Sequence, residues 1–159
     1  MNKTILFLLG VFTTVSIMAQ LPDIEIKDID QNRISLYELR GEKFTVLDFW
    51  ATWCKPCVTA IPKINSIHKE FSIQGIGFIG VNVDGPRNLS KVKPFATSMN
   101  IKYPVVLDPD QDLVNRFNVT VFPSLIVIDE KGKEVFAHEG FNAGDEKLIR
   151  EELQKLLKK

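Results

Sequence analysis

The sequence predicts an α/β sandwich: a central mixed β-sheet with helices on both faces. Three features carry this reading. The runs Phe44–Trp50, Phe78–Val83 and Ser124–Asp129 have strand length and are apolar at nearly every position, as strands covered on both faces must be. Between them lie segments with apolar residues every three or four positions, the period of a helix lying on a sheet. A Glu130-Lys131-Gly132-Lys133 turn then makes a hairpin before a last helix, so the sheet must mix parallel and antiparallel pairs.

Taken in order, residues 20–43 form an extension ahead of the first core strand. Ile24, Ile26 and Ile29 with Asp28, Asp30, Gln31 and Asn32 suggest a strand and a polar turn, and Ser35–Gly41 a short helical turn ended by glycine. Within Phe44–Trp50 one residue breaks the apolar pattern. Asp48 is costly to bury unless it finds partners or takes up a proton, so it is a candidate functional residue. From Pro56 to about Phe71, Val58, Ile61, Ile64, Ile67 and Phe71 recur at helical spacing, and Pro62 is expected to kink the rod. Gly75–Asp84 holds the second buried strand, closed by Asp84-Gly85-Pro86. Val92, Phe95, Ala96 and Met99 mark a helix from about residue 90 to 100. Tyr103–Leu107 reads as a short strand, Gln111–Phe117 as a short helix, and Glu134–His138 as the antiparallel partner of Ser124–Asp129. In the final helix, Asp145–Lys159, Leu148, Ile149, Leu153, Leu156 and Leu157 share one face. Acids lie early and lysines late, matching the macrodipole.

The composition, 45% hydrophobic and 25% charged, suits one globular domain with a core. Lys+Arg and Asp+Glu both number 20, so there is no basic excess to neutralise phosphates, and nucleic acid is not expected as a partner. The apolar stretch Ile5–Met18 follows Lys3 and precedes Ala19, the pattern of a secretory signal peptide over residues 1–19. It is shorter than the roughly 20 residues of a membrane span. Cleavage after Ala19 is expected; contact with a membrane arises only if the segment is kept as an anchor.

Both cysteines fall in Trp53-Cys54-Lys55-Pro56-Cys57, between a strand and a helix. Two intervening residues at a helix start put the sulfurs within bonding reach across one turn, so the pair can cycle between dithiol and disulfide. Unpaired N–H groups and the positive end of the helix dipole favour a thiolate at Cys54, the expected nucleophile. Cys57, one turn further in, is the expected resolving thiol. So short a loop is ill suited to a purely structural bridge in an exported domain, where longer loops stabilise more.

The stretch Asp48–Cys57, with Pro62 downstream and Val121-Phe122-Pro123-Ser124 before the late strand, resembles the thioredoxin superfamily. The longer frame adds Gly80-Val81-Asn82-Val83-Asp84, the helix before Tyr103-Pro104-Val105, and Phe122–Asp129 followed by Lys131-Gly132. Over residues 22–155 it is similar to the TlpA/ResA-like exported thiol-disulfide oxidoreductases. The resemblance implies a thioredoxin-like domain over residues 20–159, with an N-terminal extension and an inserted helix. It implies that Cys54 attacks, that Cys57 resolves, that Pro123 is a cis-proline lying against the disulfide and blocking metal capture, and that the Phe122 backbone pairs with substrate. Asp48 falls where cytoplasmic thioredoxins keep a buried acid. Exported relatives commonly have asparagine there and a glutamate three residues after the second cysteine, where this chain has Ala60. That departure points to Asp48 as acceptor of the Cys57 proton.

Each site residue also has a plainer reading. Asp48 can be a structural acid satisfied by hydrogen bonds, and Trp50 and Trp53 ordinary core, although Trp53 beside Cys54 suits the apolar rim of a docking surface. Lys55 is a solvated charge or a modest stabiliser of the Cys54 thiolate, and Pro56 sets the bend at the helix start. Zinc needs about four ligands. Neither His68 nor His138 has ligand spacing to the cysteines, so no metal is expected, and both histidines are expected at the surface. The expected function is reduction of protein disulfides in the periplasm or cell envelope, with no cofactor beyond the Cys54–Cys57 pair and a membrane thiol-electron donor. Envelope redox homeostasis, antioxidant activity and cytochrome c maturation are the roles the resemblance implies. A disulfide-forming oxidase and a non-catalytic binding module are the alternatives. A peroxidase is disfavoured, because Thr52 lies only two residues before Cys54, not three.

Overall fold

The computed structural model describes residues 24–158. Residues 1–19, read as a signal peptide, lie outside them. The elements are β1 (Glu25–Asp28), β2 (Arg33–Ser35), β3 (Phe44–Trp50), α1 (Lys55–Phe71), β4 (Ile76–Asn82), α2 (Leu89–Ser98), β5 (Val105–Leu107), α3 (Asp112–Arg116), β6 (Ser124–Asp129), β7 (Glu134–Glu139) and α4 (Asp145–Leu157). Among the described residues they build one seven-stranded mixed sheet in the order β2-β1-β5-β4-β3-β6-β7. β3, β4 and β5 run parallel, while β6 pairs antiparallel with β3 and β7, and β1 with β5 and β2. The central strands are the apolar runs, for the reason their composition suggests: they are covered on both sides.

Alternation along those strands divides the core into two layers. Val46, Phe78, Leu125 and Val127 point to one side, where Ile64, Ile67 and Phe71 of α1 and Ile149, Leu153 and Leu156 of α4 pack on them. Leu47, Phe49, Ile79, Val81, Ile126 and Ile128 point to the other, against Val92 and Ala96 of α2 and Leu113 and Val114 of α3. Burying each such side chain contributes about 1.5–3 kcal/mol, and the two layers pin the register of β3, since a slip of one residue would exchange its faces.

Several local expectations are corrected. Val58 and Leu148, expected on the buried faces of their helices, are 43% and 44% exposed; Cys57 and Ala60 fill the inner face of α1 in place of Val58, and Ile149, Leu153 and Leu156 make that of α4. The turn at Leu36–Leu39 starts from a Ser35 cap and ends at Arg40 in an extended conformation, so Gly41 does not terminate it. Gly41 is needed for close approach. A Cβ there would lie 2.1 Å from the Gly77 nitrogen and 2.2 Å from the Phe44 oxygen. α1 runs through Pro62 as one helix.

Candidate active site

β3 ends at Trp50, and the chain turns over Ala51–Cys54, with the Cys54 N–H donating to the Ala51 oxygen at 3.1 Å. Cys54 is the N-cap of α1. Its backbone is extended (φ −83°, ψ 100°), and its sulfur accepts the Cys57 N–H at 3.2 Å. The first turn of α1 contains no acidic side chain, so no carboxylate of the helix itself offsets its positive end at Cys54. Lys55 and Pro56, both exposed, open the helix. Cys54 and Cys57 form a disulfide with a Cα–Cα separation of 5.3 Å. Cys57 is fully enclosed and Cys54 is 4% exposed, so both sulfurs are buried in the bonded form and Cys54 is less open than the sequence suggests.

The β6 end of the sheet brings up the second wall. The Phe122–Pro123 peptide is cis. The Phe122 ring meets Trp53 edge-on at 5.9 Å, joining the cysteine turn to the loop before β6. Trp53 is 59% exposed and Val121 44%, leaving an apolar rim beside Cys54. Trp50 is fully enclosed instead and stacks on Phe95 of the inserted helix at 5.4 Å.

Asp48 lies on β3 on the same face as Val46, the side covered by α1 and α4. It is 3% exposed, and its Oδ2 accepts the Tyr103 hydroxyl at 2.6 Å. Burial pushes its pKa up to about 6, and the hydrogen bond from Tyr103 works against that rise. Burial, reinforced by the charge of Asp48, drives the Tyr103 phenol well above its ordinary range, so it stays a donor. Gly80, paired with Asp48 in the sheet, makes room for this contact: a Cβ there would stand 3.2 Å from the Tyr103 ring edge and 3.0 Å from Trp50 Nε1. Replacing Tyr103 by phenylalanine is expected to raise the Asp48 titration by about one pH unit, measured by carboxyl carbon NMR. An unmoved titration would show that the bond does not stabilise the carboxylate.

Two partners escaped the sequence reading. In the sequence Tyr103 reads only as the start of a strand, and Asp84 only as a turn residue. Asp84 is fully buried and binds both the Thr52 N–H and the Thr52 hydroxyl, each at 2.7 Å. A lone acid at the end of a buried strand was the available signal; the identity of its partner was not. Both histidines are also more engaged than expected. His68 packs edge-on against Tyr103 and Phe78, and burial lowers its pKa. His138 Nε2 lies 3.0 Å from the Asp145 carboxylate, with 17% of its side chain exposed. Among the described residues, no group of three or more His, Cys, Asp or Glu side chains could hold a metal ion, and no helix is long and apolar enough to cross a membrane.

The sequence profile of the AhpC/TSA family matches residues 17–135. The thiol-disulfide oxidoreductase ResA of Geobacillus thermodenitrificans is 32% identical over 121 residues, covering 76% of this chain and 68% of that protein. Among solved structures, a thioredoxin-like protein from Porphyromonas gingivalis is 31% identical with a TM-score of 0.72, covering 88% of this chain and 93% of that one. The exposed lipoprotein thioredoxin Etrx1 of Streptococcus pneumoniae is 28% identical with a TM-score of 0.69, covering 84% and 98%. A bonded CxxC pair at the tip of α1 is the chemistry these relatives would lead one to expect. The chain belongs to the AhpC/TSA family, on a thioredoxin-like fold, and is a thiol-disulfide oxidoreductase.

Proposed function

We propose that this protein is exported to the cell envelope and reduces disulfides in other proteins. The observation that carries the proposal is the placement of Cys54 as N-cap of α1, where its sulfur receives the Cys57 N–H and the first turn of the helix holds no acidic side chain. In the reduced enzyme the Cys54 thiolate attacks one sulfur of a client disulfide, forming a mixed disulfide and releasing the first client thiolate. The Cys57 thiol gives its proton to Asp48 and attacks Cys54 Sγ. The Cys54–Cys57 disulfide forms and the second client thiolate leaves, so two electrons pass from enzyme to client. Asp48, with a pKa near 6, is ionised at neutral pH and close enough to neutrality to take up and return a proton. Trp53, Phe122 and Pro123 form the apolar docking wall, with the Phe122 backbone pairing with the client and Lys55 and Pro56 at its margin. A membrane thiol donor returns the enzyme to the dithiol. Apocytochrome c, whose haem-binding cysteines must be reduced, is one client class this activity suits.

The Thr52 hydroxyl is bonded to Asp84, which supports thiol exchange over peroxide chemistry, since it is not free to assist at the sulfur. Purification of Cys57→Ser from envelope fractions tests the proposal. Without its resolving thiol the enzyme should accumulate mixed disulfides carrying clients and the electron donor, identifiable by mass spectrometry and absent with Cys54→Ser. If nothing accumulates, or if the measured potential matches strong oxidants, the reductant assignment fails.

A further inference from the structure

We propose that Asp84 is a positioning residue for the Cys54–Cys57 pair: it clamps the turn leading into α1 and supplies a fixed negative charge that keeps the pair on the reducing side. The proposal rests on Cys54 being the attacking thiol. Asp84 has no solvent exposure. Its Oδ1 accepts the Thr52 hydroxyl at 2.7 Å, and its Oδ2 accepts the Thr52 N–H at 2.7 Å and the Asn82 amide at 2.8 Å. Asn82, equally buried, accepts the Asp84 N–H at 3.2 Å, and the adjoining Val83 N–H donates to the Trp50 oxygen at 3.0 Å. The end of β4 is thus tied to Trp50 and to Thr52, the start and the middle of the segment that runs from β3 to Cys54.

Geometry alone does not require a charge here. An amide in place of the carboxyl would satisfy the same neighbours. Its oxygen would accept from Thr52 N–H and Asn82, and its NH2 would donate to the Thr52 hydroxyl, which accepts as readily as it donates. A buried carboxylate costs more to desolvate than that amide, so its presence points to what the charge does. The Cys54-to-Ala51 hydrogen bond folds the turn back on itself, leaving the carboxylate within about 10 Å of the Cys54 sulfur. At that range a buried anion opposes a second anion by about one pH unit. Destabilising the Cys54 thiolate destabilises the reduced pair and makes it the better reductant. The ionisable groups nearest on the surrounding elements are Lys55 and Cys57 on α1, Asp48 on β3, Arg87 before α2, Lys91 and Lys93 on α2, and the buried Asp108 after β5, whose N–H donates to the Asn82 oxygen at 2.8 Å. Residues 118–123 carry none. All of these stay constant when Asp84 alone is changed.

The test follows iodoacetamide alkylation of the reduced protein against pH, with the modified cysteine mapped by mass spectrometry, and the equilibrium of dithiol plus oxidised glutathione with disulfide plus two reduced glutathiones. Asp84→Asn should lower the alkylation midpoint of Cys54 by about one pH unit and shift the glutathione equilibrium toward the dithiol by up to about ten-fold. A changed unfolding temperature with an unmoved midpoint and equilibrium would reduce Asp84 to a structural role and overturn the proposal. Should Asp84→Asn fail to fold, Thr52→Val decides. Losing one donor to the carboxylate leaves its charge less neutralised, so the midpoint should rise, and a midpoint that does not rise overturns the proposal. Labelling of Cys57 ahead of Cys54 in the unaltered protein would instead remove the assignment of the attacking thiol, and the proposal with it.

Discussion

Cys54→Ser is expected to abolish disulfide reduction, by at least about 1000-fold, while leaving the fold of the reduced protein in place. Cys54 has two roles that this substitution separates. As N-cap, its side chain accepts the Cys57 N–H, and serine is among the preferred residues for that position, so the helix start keeps its bond. As nucleophile, it contributes a thiolate that a hydroxyl cannot replace near neutral pH. The variant also loses the disulfide. Closing so short a loop is worth only about 2 kcal/mol, so stability should be compared with the reduced protein, where the difference vanishes. The measurements are an insulin reduction assay and urea denaturation under reducing conditions. Turnover by the variant within a few-fold of the unaltered protein would show that Cys54 is not the nucleophile, and no insulin reduction by the unaltered protein itself would return the chain to the alternative of a thioredoxin-fold binding module.

Asp48→Asn is expected to stabilise the protein at alkaline pH and to slow it as an enzyme. The carboxyl titrates near 6 in the fold and near 3.8 when exposed, so the folded state holds its proton more tightly. A raised acid pKa contributes fully below the unfolded value, and that contribution is lost as pH climbs through the folded one. Above pH 6 the buried carboxylate therefore costs about 3 kcal/mol, a penalty that asparagine, still able to accept the Tyr103 hydroxyl, does not carry. Urea denaturation should show the variant level with the unaltered protein near pH 3.5 and more stable by about that amount at pH 8. A difference independent of pH would mean that Asp48 does not titrate in this window. If Asp48 receives the Cys57 proton, resolution of the mixed disulfide should slow by about 100-fold at pH 7 in the same variant. Unchanged resolution with the stability gain intact would leave Asp48 a structural acid.

These two residues show how unevenly the site could be read. The CxxC pair was legible because its chemistry is local: two residues of spacing at a helix start suffice to bring the sulfurs together. Asp48 was legible only as an anomaly, a charge in an apolar strand. That its partner is Tyr103, distant in sequence, depends on β5 lying beside β4 and on Gly80 leaving room for the ring. Asp84 was harder still. At the end of a strand, before Gly85-Pro86, an aspartate is an ordinary turn residue, and nothing in its neighbourhood announces a bond to Thr52.

The same division runs through the fold. Periodicity and composition alone determined the α/β class, the central strands, the long helices and the bonded pair at the head of α1, because each depends on residues a few positions apart. Only the tertiary structure decided that β1 would pair with β5, that Val58 would face solvent while Ala60 faced inward, that Gly41 would touch Gly77, and which donors would meet the two buried aspartates. Those outcomes depend on which backbones approach across the sheet, and a buried charge takes its partner from whatever that approach brings within about 3 Å.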